Sequence, residues 1–371
     1  MINVVVVGGI RTHYIKINAI QKVLKLYPEI TDKVNIVYVD AAQHYDKALT
    51  GFKQELGLSF DYVLKHDTTD SFGRVASIFA QIGKLFDEIG AKNKIDFVVV
   101  MGDVATTITV AMAAFMKQLK IAHIEAGVRI ARGNGAEEYC RTAADHVSSL
   151  CFAATQDDFV NLQREAFIDR AVFTGDIIYD YIKNCNPTVN KNKFLYGSGD
   201  KLISFDCKDN DYILFSLHHV ENLNYENLQN VFLTVRETGR RSLFIAHPRV
   251  KRLLQELSIN TYDSIIADFV PYLDNLVAIA NCRFVLTDSG GIQREAFYFD
   301  KRCVVRSDLT VWQPIVECGS NVKCYGDAAS LRQAIAYAES NADKKFDCKN
   351  LFGNGTAVKT IFESIIKASE V

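Results

Sequence analysis

The chain has 371 residues, of which 49% are hydrophobic and 23% charged, and its formal net charge is -2. This composition is too apolar for a disordered chain, and a general nucleic-acid or membrane-surface binder would carry a basic excess. The length predicts two domains, at roughly 150 residues each. The short apolar run at the N-terminus has no basic segment before it and predicts a first buried strand rather than a signal peptide.

Short β-branched runs alternate with longer amphipathic segments through the first half of the chain. Predicted strands cover residues 3–7, 35–39, 97–101, 122–125, 150–154 and 171–174. Predicted helices include residues 15–26, 72–89 and 107–118. Continuous apolar strands separated by helices indicate a parallel sheet covered on both faces. We therefore predict a Rossmann-like domain over residues 1–182.

The character of the sequence changes after residue 182. Residues 183–211 mix Asn, Lys, Gly, Asp and Pro with little periodicity and predict a connection between two domains. Further strands are predicted at residues 212–217, 242–246, 264–269, 283–287, 302–305 and 322–325. A second Rossmann-like domain is therefore expected over residues 212–355, and a last helix within 356–371 is expected to pack back on the first domain. The predicted fold class is α/β, with two doubly wound domains facing across a cleft and ligands at the carboxyl ends of the strands.

The nine cysteines form no C-x-x-C pair, and their spacing is irregular. An odd count without a pattern argues against a zinc site or a disulfide framework. We expect reduced thiols, and therefore a cytoplasmic protein. No apolar run approaches the roughly 20 residues that span a bilayer, so no membrane partner is expected.

Polar motifs follow several of the predicted strands in the first half. The turn after the first strand carries two glycines, Arg11 and Lys16, and could hold an anion at a helix N-terminus. A plain strand-to-helix turn with solvated charges is the alternative. Asp103 follows the strand at 97–101 and is either a site residue or the cap of the next helix.

Carboxylates and arginines cluster further along. Glu125 and Arg129 follow the strand at 122–125, and Glu137, Glu138 and Arg141 come shortly after. Such a group forms an acid–base cluster if the arginines keep some carboxylates ionised while burial protonates others. A surface ion-pair network is the alternative interpretation.

The second half repeats the pattern. His218 and His219 follow the strand at 212–217, but adjacent residues leaving a strand point apart, so we expect no metal site. His247 follows the next strand. Residues 287–296 read TDSGGIQREA, and this is the strongest single signal in the sequence. The amides of Gly290 and Gly291 with the Ser289 hydroxyl predict a pyrophosphate cradle at a helix N-terminus. Glu295, one turn inside the helix, is placed to hold ribose hydroxyls; Ser289 as a nucleophile is disfavoured because the G-x-S-x-G elbow is absent.

Taken in order from residue 3 to about residue 322, these motifs resemble the bacterial UDP-N-acetylglucosamine 2-epimerase family. The family's H-x-E-A-G-x-R is intact at 123–129, its Q-H-Y-D at 43–46, its H-P-R at 247–249 and its T-D-S-G-G-I-Q-x-E-A at 287–296. The resemblance implies the GT-B fold and inversion at C2 of a UDP-2-acetamido sugar. The implied route eliminates UDP to give a 2-acetamidoglucal and adds it back.

The resemblance also implies roles for particular residues. The family's catalytic positions correspond to Asp103, Glu125, Glu137 and His218. UDP and substrate binding are expected from Arg11, Lys16, Arg141, His247, Ser289, Gly290, Gly291, Glu295 and Arg306. Neither a metal nor a cofactor is expected. The expected partners are the UDP-sugar and a second copy of the chain in a homodimer, with no nucleic acid.

Three departures from the family pattern bear on the substrate. His13 replaces an acidic residue, Val104 and Ala105 replace a polar pair, and residues 310–313 read TVWQ, without the usual acid. The Trp312 version resembles relatives that act on modified sugars such as 2,3-diacetamido uronic acids. Two enzymatic alternatives stay open: a hydrolysing 2-epimerase, against which His219 argues because those relatives carry proline there, and a GT-B glycosyltransferase. A catalytically weakened sugar-nucleotide binder is the third.

Overall fold

A computed structural model describes residues 1–43, 47–68, 70–130, 135–188, 191–207, 211–308, 310, 312–346, 348 and 350–370. The chain divides into two compact units, Met1–Asn186 with Asn350–Val371, and Pro187–Lys349. The first residues of the predicted connection at 183–211 belong to the first unit, where 183–185 end α8 described below, and the rest of it belongs to the second unit.

The first unit is built on a seven-stranded parallel sheet. Its strands are β1 (Ile2–Gly8), β2 (Val34–Asp40), β3 (Tyr62–Val63), β4 (Phe97–Met101), β5 (Ile121–Ile124), β6 (Leu150–Ala153) and β7 (Ala171–Phe173). Its helices up to residue 185 are α1 (Arg11–Leu24), α2 (Pro28–Thr31), α3 (Lys47–Glu55), α4 (Ser71–Lys92), α5 (Ala105–Met116), α6 (Ala136–Val147), α7 (Gln156–Arg164) and α8 (Ile177–Cys185). The strand order is β3-β2-β1-β4-β5-β6-β7.

Burial explains why these strands could be predicted. β1 reads INVVVVG, and Val4, Val5 and Val6 are fully buried. Strands of a parallel sheet are covered on both faces by helices, so they are apolar at every position rather than alternating. The order of the strands reverses between β1 and β4, and the loops that follow these two strands diverge there. Ligands of doubly wound sheets bind at such a switch point.

The second unit opens with an antiparallel hairpin, β8 (Lys193–Ser198) and β9 (Lys201–Asp206). A six-stranded parallel sheet follows, with strands β10 (Tyr212–Ser216), β11 (Arg241–Ile245), β12 (Ile265–Ala267), β13 (Phe284–Thr287), β14 (Cys303–Val305) and β15 (Asn321–Lys323). Its helices are α9 (Tyr225–Glu237), α10 (Pro248–Glu256), α11 (Tyr272–Asn281), α12 (Gly290–Tyr298), α13 (Gln313–Glu317) and α14 (Ala328–Asn341). The order is β12-β11-β10-β13-β14-β15, so the switch point of this sheet lies between β10 and β13.

The last helix, α15 (Ala357–Ser369), belongs to the first unit and packs against α1, α2 and α8. Asp180 of α8 fixes its start, because the Oδ2 atom accepts the Val358 amide at 2.8 Å. Among the helices that the structure describes, none is long and apolar enough to cross a membrane.

One prediction about the cysteines is wrong. Cys318 and Cys348 form a disulfide across a separation of 30 residues, while the other seven cysteines are free thiols. The spacing of the cysteines does not reveal that the chain comes back beside Cys318 after α14. The Arg302 guanidinium donates to the Gly319 and Lys344 carbonyls at 2.5 and 3.1 Å, and this brings the segment after α14 beside the end of α13.

Candidate active site

The loops at the switch point of the second unit meet on one buried carboxylate. Asp288, directly after β13, accepts the His218 amide at 3.1 and 3.0 Å and the His219 amide at 3.0 Å. It also accepts the Asn222 side-chain amide at 2.9 Å. The His218 Nδ1 atom lies 2.6 Å from its Oδ1 atom. The pairing of Ser216 with Thr287 on neighbouring strands explains why these loops come together.

The charge of Asp288 follows from these contacts. Burial works to raise the pKa of Asp288, but the hydrogen bond and charge of His218 and the bond from Asn222 outweigh it, so the net pKa is lowered. The carboxyl group is therefore an ionised acceptor at neutral pH. The His218 side chain is 48% exposed, whereas that of Asp288 is fully buried.

The N-terminus of α12 follows Asp288 at once. Ser289 is the N-cap, and no side chain among the described residues caps the helix. Among the described residues, a Cβ atom added at Gly291 would have only the Ser289 hydroxyl within 4 Å, at 4.0 Å, so the space beside its Cα atom is open. Uncapped amides at a helix N-terminus suit an anion. Glu295, one turn further, is buried.

Two other predicted binding residues of this unit lie in different surroundings. His247 is exposed and caps α10, with its Nδ1 atom accepting the Arg249 amide at 3.4 Å. Arg306 is almost completely buried, and its Nη2 atom donates to Asn227 Oδ1 and to the Gly326 carbonyl at 3.0 and 2.8 Å. The guanidinium of Arg306 therefore ties the end of β14 to α9 and to the loop at Gly326.

The predicted catalytic residues of the first unit lie beside its own switch point. Glu125 follows β5 with a left-handed backbone (φ 65°), and Lys16 of α1 binds its Oε2 atom at 2.5 Å. Lys16 is 4% exposed. A non-glycine residue with positive φ carries strain that surrounding contacts must hold. Here the partly buried ion pair with Lys16 provides such a contact.

His13 lies beside this pair. Burial, and then the charge of Lys16, lower the pKa of His13 to about 3, so the ring is neutral at physiological pH. Its Nδ1 atom is buried without a hydrogen-bond partner among the described residues. The imidazole thus adds no charge to the surroundings of Glu125, unlike the acidic residue that the family pattern carries at this position.

Asp103 is paired with a buried cation as well. The Arg141 guanidinium of α6 binds Asp103 through Nη2 and Glu138 through Nη1, the latter at 2.5 Å. The capping alternative for Asp103 is not what the structure has, because Val104 is the N-cap of α5. Glu137, in the first turn of α6, is exposed. Neither arginine of this region binds Glu125 in the described contacts.

A second buried network contacts Gly102, the residue before Asp103. His123 binds Asp145 Oδ1 through Nδ1 at 2.7 Å and the Gly102 carbonyl through Nε2 at 2.8 Å. Asp145 Oδ2 also accepts the Gly127 amide and Arg129 Nη1, at 3.1 and 2.8 Å. Burial opposes ionisation of Asp145, but the bonds and charges of His123 and Arg129 lower its net pKa. This network holds the loops after β4 and β5 together.

The remaining predicted residues of the first unit are Arg11 and Gln43, and only Arg11 is exposed. Arg11, in the first turn of α1, is exposed with its guanidinium 4.5 Å from the centre of the Phe52 ring. Gln43 binds the Thr106 amide at 2.8 Å and the Thr106 hydroxyl, which links the end of β2 to α5. The rest of the predicted Q-H-Y-D motif, residues 44–46, lies outside the described residues.

The late motif at residues 310–313 contacts α12. The Thr310 hydroxyl binds Gln293 Oε1 at 2.9 Å, and the Arg294 guanidinium lies 4.2 Å from the centre of the Trp312 ring. Trp312 is buried. Residue 311 lies outside the described residues. Within the described ranges, this motif therefore supports the helix that carries the glycine turn.

Comparison with known proteins identifies the family. The profile of the UDP-N-acetylglucosamine 2-epimerase family matches residues 29–366. The chain belongs to this family. A UDP-N-acetylglucosamine 2-epimerase of Methanocaldococcus jannaschii is 32% identical over 361 residues, which cover 92% of this chain and 94% of that protein. The crystal structure of a UDP-GlcNAc 2-epimerase of M. jannaschii with UDP-GlcNAc and UDP has a TM-score of 0.81 at 27% identity and covers 99% of this chain and 100% of that one.

The epimerase family includes enzymes for modified sugars. A Pseudomonas aeruginosa protein named UDP-2,3-diacetamido-2,3-dideoxy-D-glucuronate 2-epimerase is 28% identical over 373 residues, which cover 97% of this chain and 98% of that protein. The resemblance inferred from the motifs is therefore confirmed, as is the α/β, GT-B-like fold with two Rossmann-like domains. As a member of this family, the protein is an isomerase of the 2-epimerase type.

Three residues of these networks received no role from the sequence. Asp288 stands inside the glycine motif, where it reads as part of a phosphate turn. His123 and Asp145 stand 22 residues apart on β5 and α6, and no local pattern joins them. The sequence does contain one signal for this pair: His123 is a polar residue in an apolar strand, and a buried histidine requires hydrogen-bond partners.

Proposed function

We propose that the protein inverts C2 of a UDP-2-acetamido sugar and retains UDP until the product is complete. The observation that carries the proposal is the uncapped N-terminus of α12, with open space beside the Cα atom of Gly291, directly after the Asp288 that holds His218. An anion site and a half-exposed histidine thus share one switch point. This combination suits a diphosphate leaving group and a nearby proton transfer.

The reaction balances without a redox cofactor. A base takes the proton from C2 while the C1–O bond breaks, and the electron pair of that bond leaves on the diphosphate oxygen of UDP. A C1–C2 double bond forms, which gives the 2-acetamidoglucal. A proton then returns to C2 on the opposite face and the UDP oxygen reattaches at C1.

We propose Asp103, Glu125, Glu137 and His218 as the proton-transfer and leaving-group residues. Lys16 pairs with Glu125 and Arg141 pairs with Asp103, and both cations are buried. We therefore propose that these two cations act through the carboxylates rather than on UDP itself. Glu137 is exposed at the start of α6, where a carboxylate is favoured by the helix dipole.

The proposed UDP-binding residues form two groups, those of the α12 N-terminal region and the exposed side chains of His247 and Arg11. Ser289, Gly290 and Gly291 donate to the diphosphate, and Glu295 accepts the ribose hydroxyls. His247 and Arg11 are exposed and are proposed to contact the nucleotide directly. Arg306 supports the structure of this part of the second unit from the inside, since it is almost completely buried and binds Asn227 and Gly326.

The substrate class is tested with a panel of UDP-2-acetamido sugars in deuterated water, read by NMR. The panel includes UDP-N-acetylglucosamine and a UDP-2,3-diacetamido uronate. We expect deuterium at C2 of one panel member, with UDP still attached in the accumulated product. Free UDP with free sugar would instead support a hydrolase. Absence of C2 exchange with every member of the panel would remove epimerisation from the proposal.

We also propose a homodimer. α4 and α5 pack together and leave four large apolar side chains exposed: Phe72, Phe79, Phe115 and Met116. α5 is apolar nearly all round, which is typical of a helix that is covered in the working protein. Sedimentation of the wild type should give a dimer, and Phe115→Lys should give a folded monomer. A wild type that sediments as a monomer would contradict this part.

A further inference from the structure

The Asp288 carboxylate lies where the two loops of the second switch point meet. Its Oδ1 atom faces the ring nitrogen Nδ1 of His218, and its Oδ2 atom accepts from the backbone of His219 and the side chain of Asn222. Asp288 contacts both the backbone and the ring of the same histidine.

The His218 Nδ1 and Asp288 Oδ1 atoms lie 2.6 Å apart, and at this distance a lone pair on Nδ1 would repel the carboxylate, so a hydrogen on Nδ1 is favoured. Since the carboxylate is ionised, the hydrogen belongs to the ring, and the neutral ring is then the Nδ1–H tautomer. The lone pair of that tautomer is on Nε2. The side chain is 48% exposed, so the ring is open to a ligand.

We infer that Asp288 is a positioning residue for His218: it fixes the rotamer and the tautomer that direct Nε2 at the substrate. The inference rests on the proposed function, in which His218 takes part in proton transfer. Asp288 itself touches no substrate, because its side chain is fully buried and its acceptor sites are occupied by protein donors.

Two other roles for Asp288 must be separated from this one. It could serve only as a loop anchor, since it accepts the amides of His218 and His219. It could also bind a metal with both histidines, because their ligand atoms and its oxygen lie within 4.8 Å of one another. The second role would require a cation to displace the hydrogen bonds that occupy the carboxylate.

A double-mutant cycle separates positioning from anchoring. Asp288→Asn and His218→Gln are made singly and together, and C2 exchange is measured on the proposed substrate. We expect Asp288→Asn to lower kcat about 100-fold or more, with KM and UDP affinity nearly unchanged. In the His218→Gln background the same change should cost less than about threefold, because the ring through which it acts is gone. Equal losses in both backgrounds would overturn the inference.

Asn222→Ala is the matched control. It removes one donor to Asp288 and one to the Arg306 carbonyl, so it loosens the same loop while leaving the Nδ1 contact intact. Its effect on kcat should be much smaller than that of Asp288→Asn. A loss as large as that of Asp288→Asn would show that loop anchoring is the role of the carboxylate.

The tautomer is observed directly by NMR of the protein labelled with ¹⁵N in its eight histidines. The His218 signal is assigned as the one missing from His218→Gln. We expect an Nδ1–H ring in the wild type and a shift towards Nε2–H in Asp288→Asn, with and without EDTA. An unchanged tautomer in Asp288→Asn would contradict the inference, and a tautomer that changes on chelation would favour the metal role.

The same data separate failure of the inference from failure of the proposed function. If His218→Gln exchanges C2 at the wild-type rate, the proposed role of His218 is wrong, whatever the tautomer does. If His218→Gln is inactive but Asp288→Asn keeps both its tautomer and its kcat, the proposed function stands and the positioning role is wrong.

Discussion

Within the described residues, a histidine–aspartate pair lies at the carboxyl edge of the sheet in each unit, and the two pairs have different surroundings. In both, a buried carboxylate binds Nδ1 of the ring and also accepts backbone amides. His123 is completely buried, and its Nε2 atom binds the Gly102 carbonyl. His218 is half exposed. The first ring therefore has both nitrogens engaged within the protein, whereas the second can offer Nε2 to a ligand.

The difference shows that a histidine–aspartate contact does not by itself indicate catalysis. In our proposal, the surroundings of the second ring nitrogen, Nε2, decide the role of each histidine. His123 holds together the loops that follow β4 and β5. His218 lies at a surface that a ligand can reach. The predictions below test this assignment of roles.

The largest effect is expected from the paired carboxylates of the first unit. Asp103→Asn and Glu125→Gln should each slow C2 exchange by about 10²- to 10⁴-fold, because each removes a group of the proposed proton-transfer set. UDP affinity should change far less, since the α12 turn is unaltered. The measurements are C2 exchange by NMR and a melting curve for each variant. Near-normal exchange in both variants would mean that the ion pairs of Asp103 and Glu125 are only structural.

Asp145→Asn tests the structural side of the comparison. The change removes a buried charge that holds His123, Arg129 and the Gly127 amide, and breaking such a network should lower the free energy of unfolding by about 3–5 kcal/mol. Turnover of the folded fraction should stay close to that of the wild type. Urea unfolding gives the first quantity and exchange per folded molecule the second. A stable but inactive variant would place His123 among the catalytic residues.

The fold could be predicted because buried parallel strands are apolar throughout. The strand at residues 97–101 was predicted with the bounds that β4 has, Phe97–Met101, and the other predicted strands overlap an observed one. The strands missed were β3, which has two residues, and the hairpin of β8 and β9. The hairpin lies in a polar stretch, and exposed residues such as Leu202 and Ile203 conceal the alternation that would predict a strand.

The site could be predicted only as a set of motifs. The sequence brings Asp103, Glu125 and Ser289 to the ends of strands, and the structure has them there. It could not show which charges pair. Lys16 reads as an anion ligand because it stands beside the glycine turn, and Arg141 reads as a substrate-binding residue, yet each is paired with a carboxylate from another segment. Pairings across the sheet depend on the three-dimensional register, which no local pattern encodes.

Gly291→Ala tests the open surface of the second unit. A Cβ atom here enters open space in the protein alone, so folding should not suffer, and alanine in a helix should add up to about 1 kcal/mol of stability. The same methyl group would occupy the space proposed for the diphosphate. UDP binding should weaken by about 1–3 kcal/mol, in the range of an overpacked contact. Calorimetry with UDP and a melting curve check the two parts, and unchanged UDP affinity would move the diphosphate away from α12.

The smallest effect concerns His13, a buried ring that is not proposed to act on the substrate. Because burial and Lys16 lower its pKa from 6.5 to about 3, the unfolded chain binds a proton below pH 6.5 that the folded protein does not bind. The stability that this difference contributes is complete above pH 6.5 and is lost as the pH falls towards 3. Between pH 7.5 and pH 5 the loss from this residue should be about 2 kcal/mol.

The His13→Gln side chain does not titrate, so the free energy of unfolding of this variant should fall by about 2 kcal/mol less than that of the wild type between the two pH values. Asp180, whose pKa is raised to about 6 by burial, is present in both proteins, so its own pH dependence cancels in the comparison. Urea unfolding of both proteins at the two pH values measures the difference, and parallel losses would show that His13 takes up its proton inside the folded protein.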